Sequence, residues 1–216
     1  MPNKRIIIIA GHYGAGKTNV AVNLAMSYAV ASPHGVAIID MDTVNPYFRA
    51  ADAKTALISA GIRPILPIYA NTNVDVPALP AEIASVFCSD EVAVFDIGGD
   101  DGATALGVYY NNIVSTGYEM YCVINMYRPL TDTPDKAISV MREIEEYSRL
   151  RFTAIINNSN LGAETTRKTV AASETYALGV AAASGLPLIY TTVTENCESK
   201  DITNPFIIKN YTKQLF

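Results

Sequence analysis

The stretch that most restricts the fold is Ile6-Ile7-Ile8-Ile9-Ala10 running without a break into Gly11-His12-Tyr13-Gly14-Ala15-Gly16-Lys17-Thr18. An unbroken, non-alternating run of β-branched residues reads as a strand buried on both faces. The loop after it fits G-x-x-x-x-G-K-[ST] at each fixed position: Gly11, Gly16, Lys17 and Thr18. Beyond Lys17, Val20, Leu24 and Tyr28 recur every four residues beside Ala21, Ala25 and Ala29, which predicts a helix with one face on a sheet. Ser32-Pro33-His34-Gly35 ends it.

The residue types in that loop suit phosphate. Glycines let the backbone curl so that consecutive N–H groups point inward, and the next helix adds the positive end of its dipole. Residues Gly11 to Asn19, including His12, Tyr13, Gly14 and Ala15, would form the cradle, with Lys17 reaching the β- and γ-phosphates and Thr18 ligating Mg²⁺. A fortuitous glycine turn is the alternative, and the strand before and helix after argue against it.

Six further apolar runs follow: Val36 to Asp40, Ile65 to Tyr69, Val92 to Asp96, Met120 to Asn125, Phe152 to Asn157 and Pro187 to Val193. Helical patterns lie between them. Thr131 to Leu150 offers Thr131, Asp132 or Thr133 as N-cap, Pro134 in the first turn, and Ile138, Met141, Ile144 and Tyr147 inward. Another helix is expected over 163–183, and another from Gly102. The alternation predicts an α/β fold with a doubly wound, mostly parallel sheet and helices on both faces, in one domain over 1–216. A chain of 216 residues, half of them hydrophobic and 17% charged, suits a sheet covered on both sides.

Two strand ends carry acids. In an open parallel sheet ligands bind outside the carboxyl ends of strands, so both ends can face the phosphate loop. Asp96, after four apolar residues, suits the Walker B role of holding a Mg²⁺ water. Asp96-Ile97-Gly98-Gly99 also fits D-x-x-G, in which the Gly99 amide touches a γ-phosphate. Asp100 and Asp101 read as caps of the next helix. Asp40 and Asp42, one residue apart, share a face when extended and can divide the work at a Mg²⁺-nucleotide: one orders the metal's water, the other, preferably Asp42, positions the attacking water.

GKTNVAVNLAMSYA followed by GVAIIDMDTVNPYFRAADA resembles the ParA/MinD/CobQ group of P-loop ATPases, of the SIMIBI class. The likeness is close over about the first 60 residues and extends to Asn157. It implies an ATP- and Mg²⁺-dependent switch that commonly dimerises around nucleotide, with Asp42 in the first switch and Asn157 at the adenine. From its own surroundings, Asn157-Asn158-Ser159-Asn160, Asn157 reads equally as a turn residue. The family's ParA and MinD members carry a second lysine in the loop. The aligned residue here is His12, and an imidazole supplies no permanent charge, so a loop-capping role is preferred for it. No N-K-x-D guanine-reading segment stands in the expected place.

Net charge is −5, which gives no general attraction to nucleic acid, and only Lys209 and Lys213 lie in the last thirteen residues, thin support for a membrane contact. Cys88, Cys122 and Cys197 form no C-x-x-C pair and are expected to be buried thiols. No run is long enough to span a bilayer, and a cytoplasmic protein is expected. Two functions fit: an ATPase switch acting on a protein partner or cargo, and a small-molecule kinase or carboxylate-activating enzyme of the dethiobiotin-synthetase type, with an acceptor pocket shaped by Asn71 to Pro80.

Overall fold

The computed structural model describes residues 2–42, 53–67, 81–197 and 202–211. Strand β1 (Ile6–Ala10) leads into helix α1 (Lys17–Ala31) and strand β2 (Val36–Asp40), followed by α2 (Lys54–Ser59) and β3 (Ile62–Ile65). A 3-10 segment at Ala81–Cys88 precedes β4 (Val92–Asp96), α3 (Asp100–Gly107), α4 (Tyr110–Thr116) and β5 (Tyr118–Ile124). The chain continues through α5 (Pro134–Ser148), β6 (Ala154–Asn157), α6 (Arg167–Ala172), α7 (Glu174–Ser184), β7 (Leu188–Val193) and β8 (Pro205–Ile207).

The eight strands form one sheet in the order β3-β2-β4-β1-β5-β6-β7-β8. Every pairing is parallel. The isoleucines of β1 explain why the run does not alternate: Ile6 and Ile8 pack into the layer that holds Met141 and Ile144 of α5, while Ile7 and Ile9 pack into the layer that holds Val20 and Leu24 of α1. Both faces are core, so polar residues have no place on either. Each of these side chains is fully buried, which favours the fold by about 2 kcal/mol apiece.

Chain direction sets the site. From β1 the chain moves outward through β2 to β3, returns to β4, and resumes on the far side of β1 with β5. With α1 on one face and α5 on the other, the loops after β1 and β5 diverge and leave a crevice at the carboxyl edge.

Five expectations are corrected. The third strand is Ile62–Ile65, ahead of the apolar run, and Pro64 is tolerated because β3 is an edge strand. Residues 163–183 form two helices, broken where the buried Ser173 hydroxyl donates to the Val170 carbonyl. In α5, Thr133 is the N-cap and Met141 and Ile144 are buried, but Tyr147 is exposed. Helix α3 begins at Asp100 with Gly99 at its cap, so Asp100 and Asp101 stand in the first turn. Cys88 is exposed, whereas Cys122 and Cys197 are buried. Strand β8 was not foreseen. Among the described residues, no helix is long and apolar enough to cross a membrane.

Candidate nucleotide site

The loop between β1 and α1 depends on glycine at two points. A side chain on Gly11 (φ +152°) would put its Cβ 2.4 Å from the Val123 carbonyl oxygen of β5. One on Gly16 (φ +84°) would stand 2.4 Å from the Asn158 amide nitrogen. The loop is therefore pressed between its neighbours. Helix α1 starts at Lys17 with no acid in its first turn, so no side chain there offsets its positive end.

Lys17 is only 8% exposed, and its Nζ donates to the His12 carbonyl at 3.1 Å. The backbone of His12 thus holds the loop lysine, and the residue itself borders the cleft, as do Tyr13 and Gly14. Asn158 braces the loop from the other side: its Nδ2 donates to the Ala15 carbonyl at 2.6 Å, and its Oδ1 accepts from the Thr192 hydroxyl at 2.5 Å. Asn158 was missed in the sequence because Asn157-Asn158-Ser159-Asn160 reads as a turn; its position just past a strand end was the available signal.

Asp40 and Asp96 pair across β2 and β4 at the same depth. Their roles diverge beyond that. Asp40 is buried and its Oδ1 accepts the Asp42 N–H at 2.9 Å, folding the chain so that Asp42 reaches the cleft. Asp40 is not among the residues that line the cleft, but its Oδ2, like Asp96 Oδ1, is buried and accepts no hydrogen bond among the described residues. Asp42 lies against Gly98, where an added Cβ would meet the Asp42 Cγ at 2.7 Å. Gly98 therefore borders this cleft, while Gly99 opens into a smaller neighbouring one.

Asp96 fits a cation. It is 2% exposed, and its Oδ1 has no hydrogen-bond partner among the described residues. Burial raises its carboxyl to about 6; the Thr18 hydroxyl donor and the Lys17 charge pull it down, and the Asp42 charge pushes it up. A buried, half-satisfied carboxylate beside a threonine hydroxyl matches what a hydrated Mg²⁺ needs from protein, one or two oxygen contacts with phosphates supplying more. No group of three or more His, Cys, Asp or Glu capable of holding a metal occurs among the described residues.

The cleft, about 930 Å³, extends from this acidic corner along the loop to a wall made by three segments: Asn158 to Thr165 after β6, Thr192 to Thr194 in and after β7, and Ile208 with Asn210 after β8. The last segment is tied to α1, where Asn23 exchanges two bonds of 2.8 Å with the backbone of Lys209 and Asn19 accepts from the Tyr211 N–H at 3.0 Å. Asn19 thus touches the wall as well as the loop. Asn157 is elsewhere: fully buried, it donates to the Ser173 hydroxyl at 2.8 Å and accepts from Ser159 N–H and Oγ at 3.2 and 2.7 Å. Its amide is engaged by these partners in the interior.

Asn71 to Pro80, and the residues after Asp42 up to Asp52, lie outside the described residues. The smaller cleft, about 530 Å³, opens beside the loop between Gly11, His12 and Gly99 on one side and Lys136, Ser139 and Glu143 of α5 on the other.

A parallel sheet with a glycine loop between its central strand and first helix, and acids at adjacent strand ends, defines the P-loop NTPase fold. No protein-family model matches the chain, and no curated protein matches it. Solved structures do. The cell division protein FtsY of Thermotoga maritima superposes with a TM-score of 0.59 at 20% identity, covering 91% of this chain and 64% of its own. Chloroplast FtsY of Physcomitrella patens gives 0.60 at 16% identity, over 95% of this chain and 63% of its own. The signal recognition particle 54 kDa protein of Aeropyrum pernix, in complex with GDP, gives 0.53 at 18%, over 88% and 42%. The chain spans less than two thirds of the length of these structures. At such identities the likeness is one of fold alone: an α/β architecture with a parallel sheet and helices on both faces, as the sequence pattern predicted.

Proposed function

We propose that the chain binds a Mg²⁺-nucleoside triphosphate in the larger cleft and hydrolyses it slowly, as a switch that acts on a protein partner or cargo. The observation that carries this reading is the convergence of Lys17, Thr18, Asp96 and Asp42 on one end of a glycine loop whose backbone is braced by Asn158. Gly11 to Asn19 would hold the phosphates. Thr18 and Asp96 would hold the Mg²⁺, which when bound offsets phosphate charge, and Lys17 would supply a second positive charge. Asp42, held by Asp40 and seated on Gly98, is the residue for orienting the attacking water.

The sequence resemblance favours ATP, within a ParA/MinD-type subgroup. A structural neighbour holds GDP, so a guanine nucleotide is the competing reading. A cytoplasmic location belongs to the same proposal.

Purified chain is expected to bind Mg²⁺-ATP more tightly than Mg²⁺-GTP, and Lys17→Ala to lose that binding. Equal weak signals from both proteins would overturn the reading. Asp42→Ala is expected to keep nucleotide affinity while slowing hydrolysis; an unchanged rate would move the water-positioning role to another residue.

The smaller cleft favours a second reading, a kinase or carboxylate-activating enzyme, because it places polar groups of α5 beside the loop where an acceptor would need to sit. Phosphate transfer from ATP to a metabolite in a substrate screen would select it.

A further inference from the structure

The polyphosphate of a nucleoside triphosphate brings about four negative charges into a cleft that already holds acids, and a bound Mg²⁺ removes about two. Among the described residues that border the larger cleft, the side chains with permanent positive charge are Lys17 and Arg128. Lys17 belongs to the loop motif. Arg128 lies 111 positions later in the chain, on the loop after β5 across the crevice from α1.

That loop is built to hold one shape. The Asn125 side chain accepts the Tyr127 N–H at 2.9 Å, and the Thr131 hydroxyl donates to the Asn125 carbonyl at 2.8 Å. Ser159 Oγ accepts the Met126 N–H at 3.0 Å, the Tyr127 hydroxyl donates to the Thr169 carbonyl at 2.7 Å, and the Tyr176 hydroxyl donates to the Thr131 carbonyl at 2.5 Å. From this platform the half-buried Arg128 crosses to the phosphate loop, where its Nε donates to the Gly14 carbonyl at 2.8 Å. Gly14 takes a left-handed φ of +76°, and a Cβ there would just touch that Nε, at 3.4 Å.

What remains of the guanidinium is uncommitted. Arg63 and Arg151 spend theirs on Glu91 and Glu145, and Arg5 and Arg149 place Nη groups on backbone carbonyls. Arg128 bonds through Nε alone among the described residues, and Asp132, the acid nearest in sequence, is paired with Lys136 at 2.7 Å. A guanidinium held by one N–H keeps four donors in a planar fork that matches phosphate oxygens.

We propose that Arg128 is a cation supplied by this chain to its own site: anchored on Gly14 through Nε, it presents its Nη groups to the polyphosphate and stabilises the charge that develops there during hydrolysis. The proposal rests on the nucleotide reading given above. It assigns Arg128 to contact with the nucleotide, whereas a bracing role would end at the Gly14 carbonyl.

Binding of Mg²⁺-ATP, Mg²⁺-ADP, Mg²⁺-GTP and Mg²⁺-GDP, and single-turnover hydrolysis of both triphosphates, would be compared in the full chain, Arg128→Lys, Arg128→Gln and Arg128→Ala. Gln keeps a neutral donor for Gly14 and removes the charge. Expected are a loss of tenfold or more in the triphosphate-to-diphosphate affinity ratio, a hydrolysis rate lowered about 10²-fold or more in Gln and Ala, and partial retention in Lys. A Gln variant with the wild-type ratio and rate, or an Ala variant that weakens both nucleotides equally, overturns the proposal and leaves Arg128 a brace. Wild-type protein that binds none of the four overturns the nucleotide reading itself, a distinct result. If Ala fails to fold by thermal melting, Lys and Gln carry the comparison.

Discussion

Asn158 Nδ2 donates to the Ala15 carbonyl at 2.6 Å, joining the end of β6 to the middle of the phosphate loop across 143 positions of sequence. The same side chain accepts from Thr192, so one amide locks three segments at the floor of the cleft. Asn158→Ala would strip the buried Ala15 carbonyl of its partner and leave the Thr192 hydroxyl with only its longer bond, 3.4 Å, to the Asn157 carbonyl. A loss of about 1–3 kcal/mol in urea unfolding is expected, with weaker Mg²⁺-nucleotide binding. Asn158→Asp should be worse for the loop, because a carboxylate cannot donate to a carbonyl; binding as tight as wild type in the Asp variant would show that the brace is dispensable.

Gly98 and Gly99 should respond oppositely to alanine. At Gly98 the new methyl would collide with the Asp42 side chain, whereas at Gly99 nothing stands within 4 Å. Hydrolysis is expected to fall tenfold or more in Gly98→Ala and to change little more than twofold in Gly99→Ala, an order-of-magnitude contrast set by sterics. The reverse ranking, measured by phosphate release, would mean that the Gly99 amide is the one that contacts the nucleotide.

Asp96 makes stability depend on pH. Its carboxyl is raised by burial to about 6, from 3.8 in the open chain. Between those values the folded chain holds the extra proton, so this group's contribution is full below the unfolded value and is lost as pH rises through the folded one. Without nucleotide, Asp96→Asn should therefore gain stability over wild type at pH 7.5, by on the order of 1–3 kcal/mol, and gain little at pH 4. Parallel denaturation curves at the two pH values, equally spaced for both proteins, would contradict the assignment.

Asn157→Ala tests the base assignment that the resemblance implied. Because its amide is satisfied by Ser173 and Ser159 in the interior, the variant should lose about 1–3 kcal/mol of stability and keep the same preference between ATP and GTP. A switched preference with unchanged stability would restore Asn157 to the base.

What could be read in the sequence was whatever a local pattern encodes. The run Ile6 to Ala10 and the spacing of Gly11, Gly16, Lys17 and Thr18 carry their strand, loop and helix on their face. Edge strands do not: β3 contains Arg63 and Pro64, and β8 is a three-residue strand whose side chains are exposed or half-buried, so neither has the apolar continuity of a strand covered on both sides. Neighbouring polar residues were also indistinguishable. Asp40 and Asp42, or Asn157 and Asn158, differ by a side chain's direction at a strand end, and that is fixed by distant partners such as Ser173 and Ala15. Arg128 carried no signal at all, since its meaning comes from Gly14.

The bonds from Asn19 and Asn23 to Tyr211 and Lys209 tie the first helix to a segment made nearly two hundred residues later, 192 positions in the case of Asn19 and Tyr211. During synthesis the phosphate loop therefore leaves the ribosome long before the wall around Ile208 and Asn210 exists. The cleft gains this side only once the last described strand, β8, has been made.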